Sequence, residues 1–592
     1  MQKYSFLVYH KEYGTFLQDL QQLGVLHVIE KKTEISESIK EKYRLLNRYN
    51  KTIDFLEKLE TEQDEQILDA EGFEILEEIS QKQDKLENLK QELIANNKEL
   101  KKVEPWGDFS KQIISKLQEE NILVRFFIAS NKKFNPERLS KYFTEIIYES
   151  GNNVYFIIIQ KEGEKINIDA EEIKLPERSF SEINNNIQEI EEEISIINND
   201  FDNYAKTSIP LLNKTRAIIS GKSEYERVVY NTTVEADEKL MILEGWVPNT
   251  KKKQTEDFLN NNNILYIANK PKNEDKVPIL LKNNQFTKLF EPIGKLFSLP
   301  SYAELDLTAF FAPFFMMFFG FCLGDAGYGL LFIVGATIYK LKAKKEIKPY
   351  LSLIQFLGIA TVIFGVISGT LFGINLIETE IELFADYKNM FLNADNMFKL
   401  ALVLGGIQII FGMFIKAINQ IRQYGFVYSL ATFGWLILLL GGTVYLVLSK
   451  KGIIVENNIL LYVILSLGGF FILFFSDPEI SVLARIGKGI WDVYSTVTGI
   501  FGDLLSYIRL FALGLSSAIL GFVINDIGMQ ILGSAPIIGP VFFVIFLIFG
   551  HTLNILISSL GSFVHPMRLT FVEFYKNAGF AGGGKEYKPF SK

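Results

Sequence analysis

The 592-residue chain combines 22% charged residues and a net charge of −8 with a positive mean hydropathy. One cysteine, Cys322, and four histidines (His10, His27, His551, His565) exclude a disulfide framework and a Cys/His metal cluster. The acidic balance gives no basic field for nucleic acid. At this length two or more domains are expected. Residues 1–300 are dense in Glu, Lys, Asn and Gln, and 305–578 in Phe, Leu, Ile and Gly.

The chain begins Met-Gln-Lys-Tyr-Ser-Phe, without a charged region followed by a long apolar core, so no signal peptide is expected and the N-terminal half should stay in the cytoplasm. Residues 3–9 read as a strand, 11–22 as a helix and 25–29 as a strand; 241–269 repeats strand, helix, strand. Two such units would combine into one ferredoxin-like proximal lobe, 1–30 with 235–270. Between them, Ile39, Leu46 and Ile53, then Ile79, Leu86, Leu93 and Leu100, recur every seventh residue. Ile183, Ile187, Ile190, Ile194, Ile197, Phe201 and Tyr204 step by four and three. That period is the seam of a coiled coil, expected over 36–105 and 181–232. Residues 122–130, 138–150 and 153–160 read as strand, helix and strand within a distal lobe, 106–180.

Apolar runs at 307–341, 350–376, 397–418, 427–449, 458–475, 494–525 and 538–578 approach or exceed the roughly 20 residues that cross a bilayer. GDAGYG (324–329) is a turn signal inside the first run, which gives eight spans across 301–592. With the N-terminus inside, eight spans leave Lys340, Lys342, Lys344, Lys345, Lys348, Lys416, Arg422, Arg485 and Lys488 in the cytoplasm. The other side receives Lys388, Lys399, Lys450 and Lys451 beside Glu378, Glu380, Glu382 and Asp386. The positive-inside bias favours that count over seven.

Arg509 and Arg568 lie in the last two long segments. A charge at bilayer depth costs roughly 2.5–3.5 kcal/mol on insertion scales, so it marks an ion path or a partner's charge; arginine keeps that charge at every cellular pH. His551, Asn554, Ser558, Ser562, His565 and Arg568 step by three and four and so share one helix face. From His551 to Arg568 the stripe spans about 26 Å, close to the hydrocarbon thickness. Asp503, Ser506 and Tyr507 extend the polar patch onto the neighbouring helix, Glu573 lies just beyond Arg568, and Pro566 should loosen the helix between.

Together, EGWVP (244–248), FEPI (290–293), PFFMMFFGFCLGDAGYG (313–329), LSYIRLFALGLSS (505–517) and HPMRLTFVEFYKNAGF (565–580) resemble the V-type ATPase membrane stator subunit, the subunit a or subunit I family, over essentially the whole chain. The resemblance implies an α-helical polytopic membrane domain of about eight transmembrane helices with an N-terminal cytoplasmic α/β two-lobe arm joined by a coiled coil. It implies that Arg509 and Arg568 face a proteolipid c/K ring, and that the arm holds peripheral stalks of the E/G type. Central-stalk and catalytic subunits would be reached through the complex, in the cell membrane. Eukaryotic members carry a glutamate ten residues before the second arginine, where this chain has Ser558, so the ion route cannot be transferred there.

A secondary transporter and a membrane receptor or tether with a cytoplasmic coiled coil are the rival readings; the membrane half shows no evident repeat or paired broken helices for the first, and the second leaves the stripe and two arginines without a task. There is no GxxxxGK[ST], and GGGK at 582–585 reads as a flexible tail, so no nucleotide site or cofactor is expected and the chain is not catalytic alone.

Overall fold

The computed structural model describes every residue except 33–35, 60–70, 132–133, 135–138, 162–165, 167, 175–176, 273–274, 376–393, 453–458, 535–537 and 592. Lys388, Glu378, Glu380, Glu382 and Asp386, invoked above for the charge bias, lie outside the described residues. The chain divides into two compact units, one of Tyr4–Gly245, Lys253–Ile267 and Pro589–Lys592, the other of Met1–Lys3, Trp246–Lys252 and Ala268–Lys588.

The first unit opens with β1 (Gln2–Tyr9), α1 (Tyr13–Leu23) and β2 (His27–Val28). Alternate residues Tyr4, Phe6 and Val8 are buried, as a half-covered strand requires. Helices α2 (Glu37–Glu57) and α3 (Gly72–Val103) follow, then α4 (Lys111–Glu119). The strands β3 (Ile122–Ser130), β4 (Phe143–Ser150), β5 (Asn153–Lys161) and β6 (Glu171–Ile173) form an antiparallel sheet in the order β4-β5-β3-β6. Residues 143–150 are therefore a strand, not the helix expected there. Phe143, Thr144, Ile146, Ile147 and Tyr148 are β-branched or aromatic, and Gly151–Asn152 closes a hairpin that pairs Ser150 with Asn153.

Helices α5 (Phe180–Thr207) and α6 (Ile209–Tyr230) return along α3 and α2. Ser179 caps α5 with a reciprocal bond to Glu182. Tyr49, Ile53, Leu76, Ile79, Ile190 and Phe201 belong to one apolar cluster shared by α2, α3 and α5. Then β7 (Thr233–Glu235), β8 (Leu240–Val247), α7 (Lys252–Asn261) and β9 (Leu265–Asn269) complete a sheet ordered β2-β8-β1-β9, with β7 on β8. The glycine of EGWVP has a steric reason: a Cβ on Gly245 would stand 2.5 Å from Leu26 Cδ1 and 2.8 Å from the His27 carbonyl oxygen.

The second unit contains α8 (Gln285–Phe297), α9 (Thr308–Leu323), α10 (Ala326–Lys342), α11 (Lys348–Ser368), β10 (Thr370–Leu371), β11 (Ile374–Asn375), α12 (Ala394–Gln423), α13 (Phe426–Lys450), α14 (Ile459–Phe475), α15 (Val482–Ser534) and α16 (Gly539–Arg568). Five of these helices, α11, α12, α13, α15 and α16, are long and apolar enough to cross a membrane; α9 and α14 are shorter and apolar. Large side chains on their outer faces are bare, including Phe549 at 68% and Leu560 at 66% exposure, as suits contact with lipid chains. The helix containing Arg509 is longer at both ends than the expected 494–525.

Gly324, in the left-handed region at φ 55°, ends α9, and Asp325 caps α10. Close packing of α9 and α10 on α11 rests on small residues. A Cβ on Gly320 would meet the Ala360 backbone at 2.6 Å, and one on Gly365 the Ala326 nitrogen at 2.1 Å. The GGGK segment is not a loose tail. Glu304 accepts the Ala581 and Gly582 amides at 2.8 and 3.2 Å, Ser298 accepts that of Gly583 at 2.8 Å, and Tyr587 N–H donates to the Ile279 carbonyl at 2.9 Å. Gly582 and Gly583 take φ of 71° and 81°, which other residues rarely adopt. In the first unit, Phe590 is buried and its N–H donates to the Leu26 carbonyl at 2.7 Å.

Candidate ion-translocation site

The stripe on α16 is a real face, because the helix runs unbroken from Gly539 to Arg568 and packs along α15 and α9. Asn554 and Ser562 are buried, His551, Ser558 and His565 half-buried, and Arg568 is exposed. Pro566 does not interrupt the helix. The departure comes three residues later as a π-helical turn over Leu569–Phe574, which re-aims the chain next to Arg568.

At the end of the stripe near His551, polar groups from three elements meet. Tyr328 of α10 has its hydroxyl 2.8 Å from His551 Nδ1, and Asn525 of α15 has Oδ1 3.1 Å from His551 Nε2. Asn554 donates to the Tyr328 oxygen at 2.9 Å and to the Ser517 carbonyl at 3.3 Å, while Ser558 donates to Asn554 Oδ1 at 2.9 Å. Below this network lies Asp325, buried and accepting four backbone amides: Gly327 at 2.8 Å, Tyr328 at 3.2 Å, Phe372 at 2.8 Å and Gly373 at 2.7 Å. A carboxylate so saturated is a structural clamp.

Arg509 is half-buried on α15. Its Nη1 is enclosed and has no hydrogen-bond partner among the described residues, and the same holds for His565 Nδ1. Arg509 and Arg568 both stand within electrostatic reach of the His565 ring. Arg568 is also within electrostatic reach of Glu573, which is buried with Oε2 unpartnered among the described residues.

At the opposite end, Asp503 is buried and takes Lys576 Nζ at 3.0 Å and Asn577 Nδ2 at 2.8 Å. It lines a cavity of 440 Å³ with Lys416, Asp492, Ser495, Lys576 and Asn577. Ser506 turns back to the Gly502 carbonyl at 3.2 Å. Tyr507 is fully buried and donates to Gln408 Oε1 at 2.6 Å, with its ring against Gly405, where a Cβ would stand 2.4 Å from the ring carbon Cγ. Tyr507 is thus a packed anchor between α15 and α12.

Residues 157–353 match the model of the V-type ATPase 116kDa subunit family. A V-type ATP synthase subunit I of Borreliella burgdorferi is 28% identical, covering 82% of this chain and 82% of its own length. One from Chlamydia pneumoniae is 24% identical, covering 100% of this chain and 96% of its own. This chain is thus similar to subunit I proteins over most of its length. An A-type ATP synthase subunit I of Methanothermobacter thermautotrophicus is 32% identical over 52% of this chain and 45% of its own length. A solved structure titled as the cytoplasmic N-terminal domain of subunit I, homolog of subunit a, of V-ATPase aligns with 45% of this chain at 14% identity and a TM-score of 0.23. The family match stops before Arg509 and Arg568, so the case for those positions rests on their own geometry.

Sequence reasoning missed Asp325, Tyr328, Gln408 and Asn525. Gln408 sits in an apolar helix, and its amide gave a signal only as a polar residue inside a span. Asp325 was visible as a turn residue, yet two of its four donors lie 47 and 48 positions away.

Proposed function

We propose that this chain is the ion-translocating stator subunit of a rotary V/A-type ATPase, supplying two half-channels and fixed arginines to a proteolipid ring and leaving nucleotide chemistry to partner subunits. The observation that carries the reading is Arg509 Nη1, enclosed on a long apolar helix and without a hydrogen-bond partner among the described residues. A permanent cation in such a place requires an anion. A rotor carboxylate arriving from a neighbouring chain fits that need, with His565 within electrostatic reach of both arginines.

In this reading the second unit spans the cell membrane eight times; the pairing of α10 with α11, α12 with α13, α13 with α14, α14 with α15 and α15 with α16 supports it. The first unit is a cytoplasmic arm whose long helices form a coiled coil between two lobes that hold E/G-type stalks. The cavity beside Asp503 is one half-channel, with Glu573 and Ser506 leading from it toward the arginines and the packed Tyr507 as its wall. Ser558, Ser562 and His565 border the other. An ion entering one half-channel neutralises a rotor carboxylate, which turns into lipid; on its return the arginines favour the ionised form and the ion leaves by the second route. The same fixed charges repel cations that would leak directly between the two.

The test is Arg509→Ala in the whole complex, reconstituted in vesicles with and without sodium. ATP-driven ion uptake is expected to vanish while the complex remains assembled. Coupled uptake retained in an assembled Arg509→Ala complex refutes the assignment.

A further inference from the structure

We infer that His551 is locked as the neutral imidazole protonated on Nε2, with Tyr328 as its positioning residue, so that of the two histidines on the stripe only His565 is open to exchange. The argument starts from two backbone carbonyls, which can only accept hydrogen bonds. The Phe372 carbonyl oxygen lies 2.7 Å from Asn525 Nδ2, and that of Ser517 3.3 Å from Asn554 Nδ2, which fixes both amides with their NH₂ groups toward the carbonyls. Asn525 then presents Oδ1 to His551 Nε2, which must carry a proton. Asn554 donates its other hydrogen to the Tyr328 oxygen, leaving the Tyr328 O–H to point at His551 Nδ1, which must be bare to receive it. A doubly protonated ring would set two donors against one phenol oxygen and leave the phenol hydrogen without its acceptor.

The carbonyl that anchors this chain is itself held. Phe372 has φ 49° in the turn between β10 and β11, and the amides of Phe372 and Gly373 are fastened to the Asp325 carboxylate. Asp325 is the charged group within electrostatic reach of the His551 ring, and its four amide donors already engage it. The remaining faces of His551 are met by the rings of Tyr328 and Phe372. With both nitrogens engaged, His551 has no lone pair for a proton or a cation. His565, by contrast, has Nδ1 without a hydrogen-bond partner among the described residues. Resting on the rotary reading, this makes the His551 end of the stripe a fixed wall and confines ion exchange on α16 to Ser558 through Arg568.

The experiment is solid-state ¹⁵N spectroscopy of the full-length, ¹⁵N-histidine-labelled protein in lipid, with His551→Gln identifying the His551 signals. At pH 7 the expected pattern is one bare Nδ1 and one protonated Nε2. An imidazolium, or a ring protonated on Nδ1, overturns the inference. In Tyr328→Phe the Nε2 proton stays engaged with Asn525 while the bare Nδ1 loses its phenol donor, so the Nδ1 signal should shift; an Nδ1 signal that does not move removes Tyr328 from the role. The readout needs no pumping, so loss of the rotary reading and loss of this one are separable.

Discussion

Asp325 shows how much one side chain can organise. Its carboxylate draws together the start of α10 and the β10–β11 turn through four charge-assisted bonds, beside an apolar cluster rich in Phe and Leu. Asp325→Asn replaces one acceptor oxygen with a donor that faces amide hydrogens, so at least one such bond becomes a repulsion. Bonds to charged groups are worth about 1.5–3 kcal/mol, and a loss on that order is expected, read as a lowered unfolding midpoint in detergent. Wild-type stability in this variant would show that the clamp is redundant. The sequence made the turn legible, since Gly-Asp inside an apolar run is a breaker. It could not show the clamp, whose other half follows α11. The two arginines were legible as charges out of place, and their electrostatic reach to His565 required knowing how α15 and α16 pair.

At the scale of elements, long helices were the most readable, because a run of apolar residues long enough for a bilayer has few other fates. The failure at 143–150 is instructive. Its apolar residues fit a helical period, but β-branched content and the Gly-Asn turn decided for a hairpin. The arm's elements are also tied by carboxylates held below their ordinary range. A hydrogen bond from Arg48 lowers Glu77, bonds from the Ser181 hydroxyl and amide lower Asp108, the Arg125 guanidinium lowers Glu172, and Lys42 lowers Glu226. A group depressed in the folded state contributes stability above its unfolded value, and that contribution disappears as pH falls through the folded one. Hydrogen-exchange protection of α2, α3, α5 and α6 should therefore weaken below about pH 4, where unperturbed carboxylates take up protons. Protection in those helices that is flat from pH 6 to pH 3 would mean these pairs add nothing to the fold.

For the whole molecule, the decisive question is company. A stator should be recovered with small hairpin subunits of a proteolipid ring and with stalk subunits when extracted in mild detergent, whereas a transporter or receptor should come alone. Recovery of the chain by itself from native membranes, with intact arm and bundle, would count against the rotary assignment. The anchoring of the last residues bears on how that extraction is done. Three successive glycines before Lys585 look like a ready-made spacer for an affinity handle, yet Glu304 and Ser298 grip them and Phe590 is sunk beside Leu26. A bulky fusion at that end would compete with its own anchorage. The exposed bend at Ala236–Glu238, between β7 and β8, is the better place to attach one.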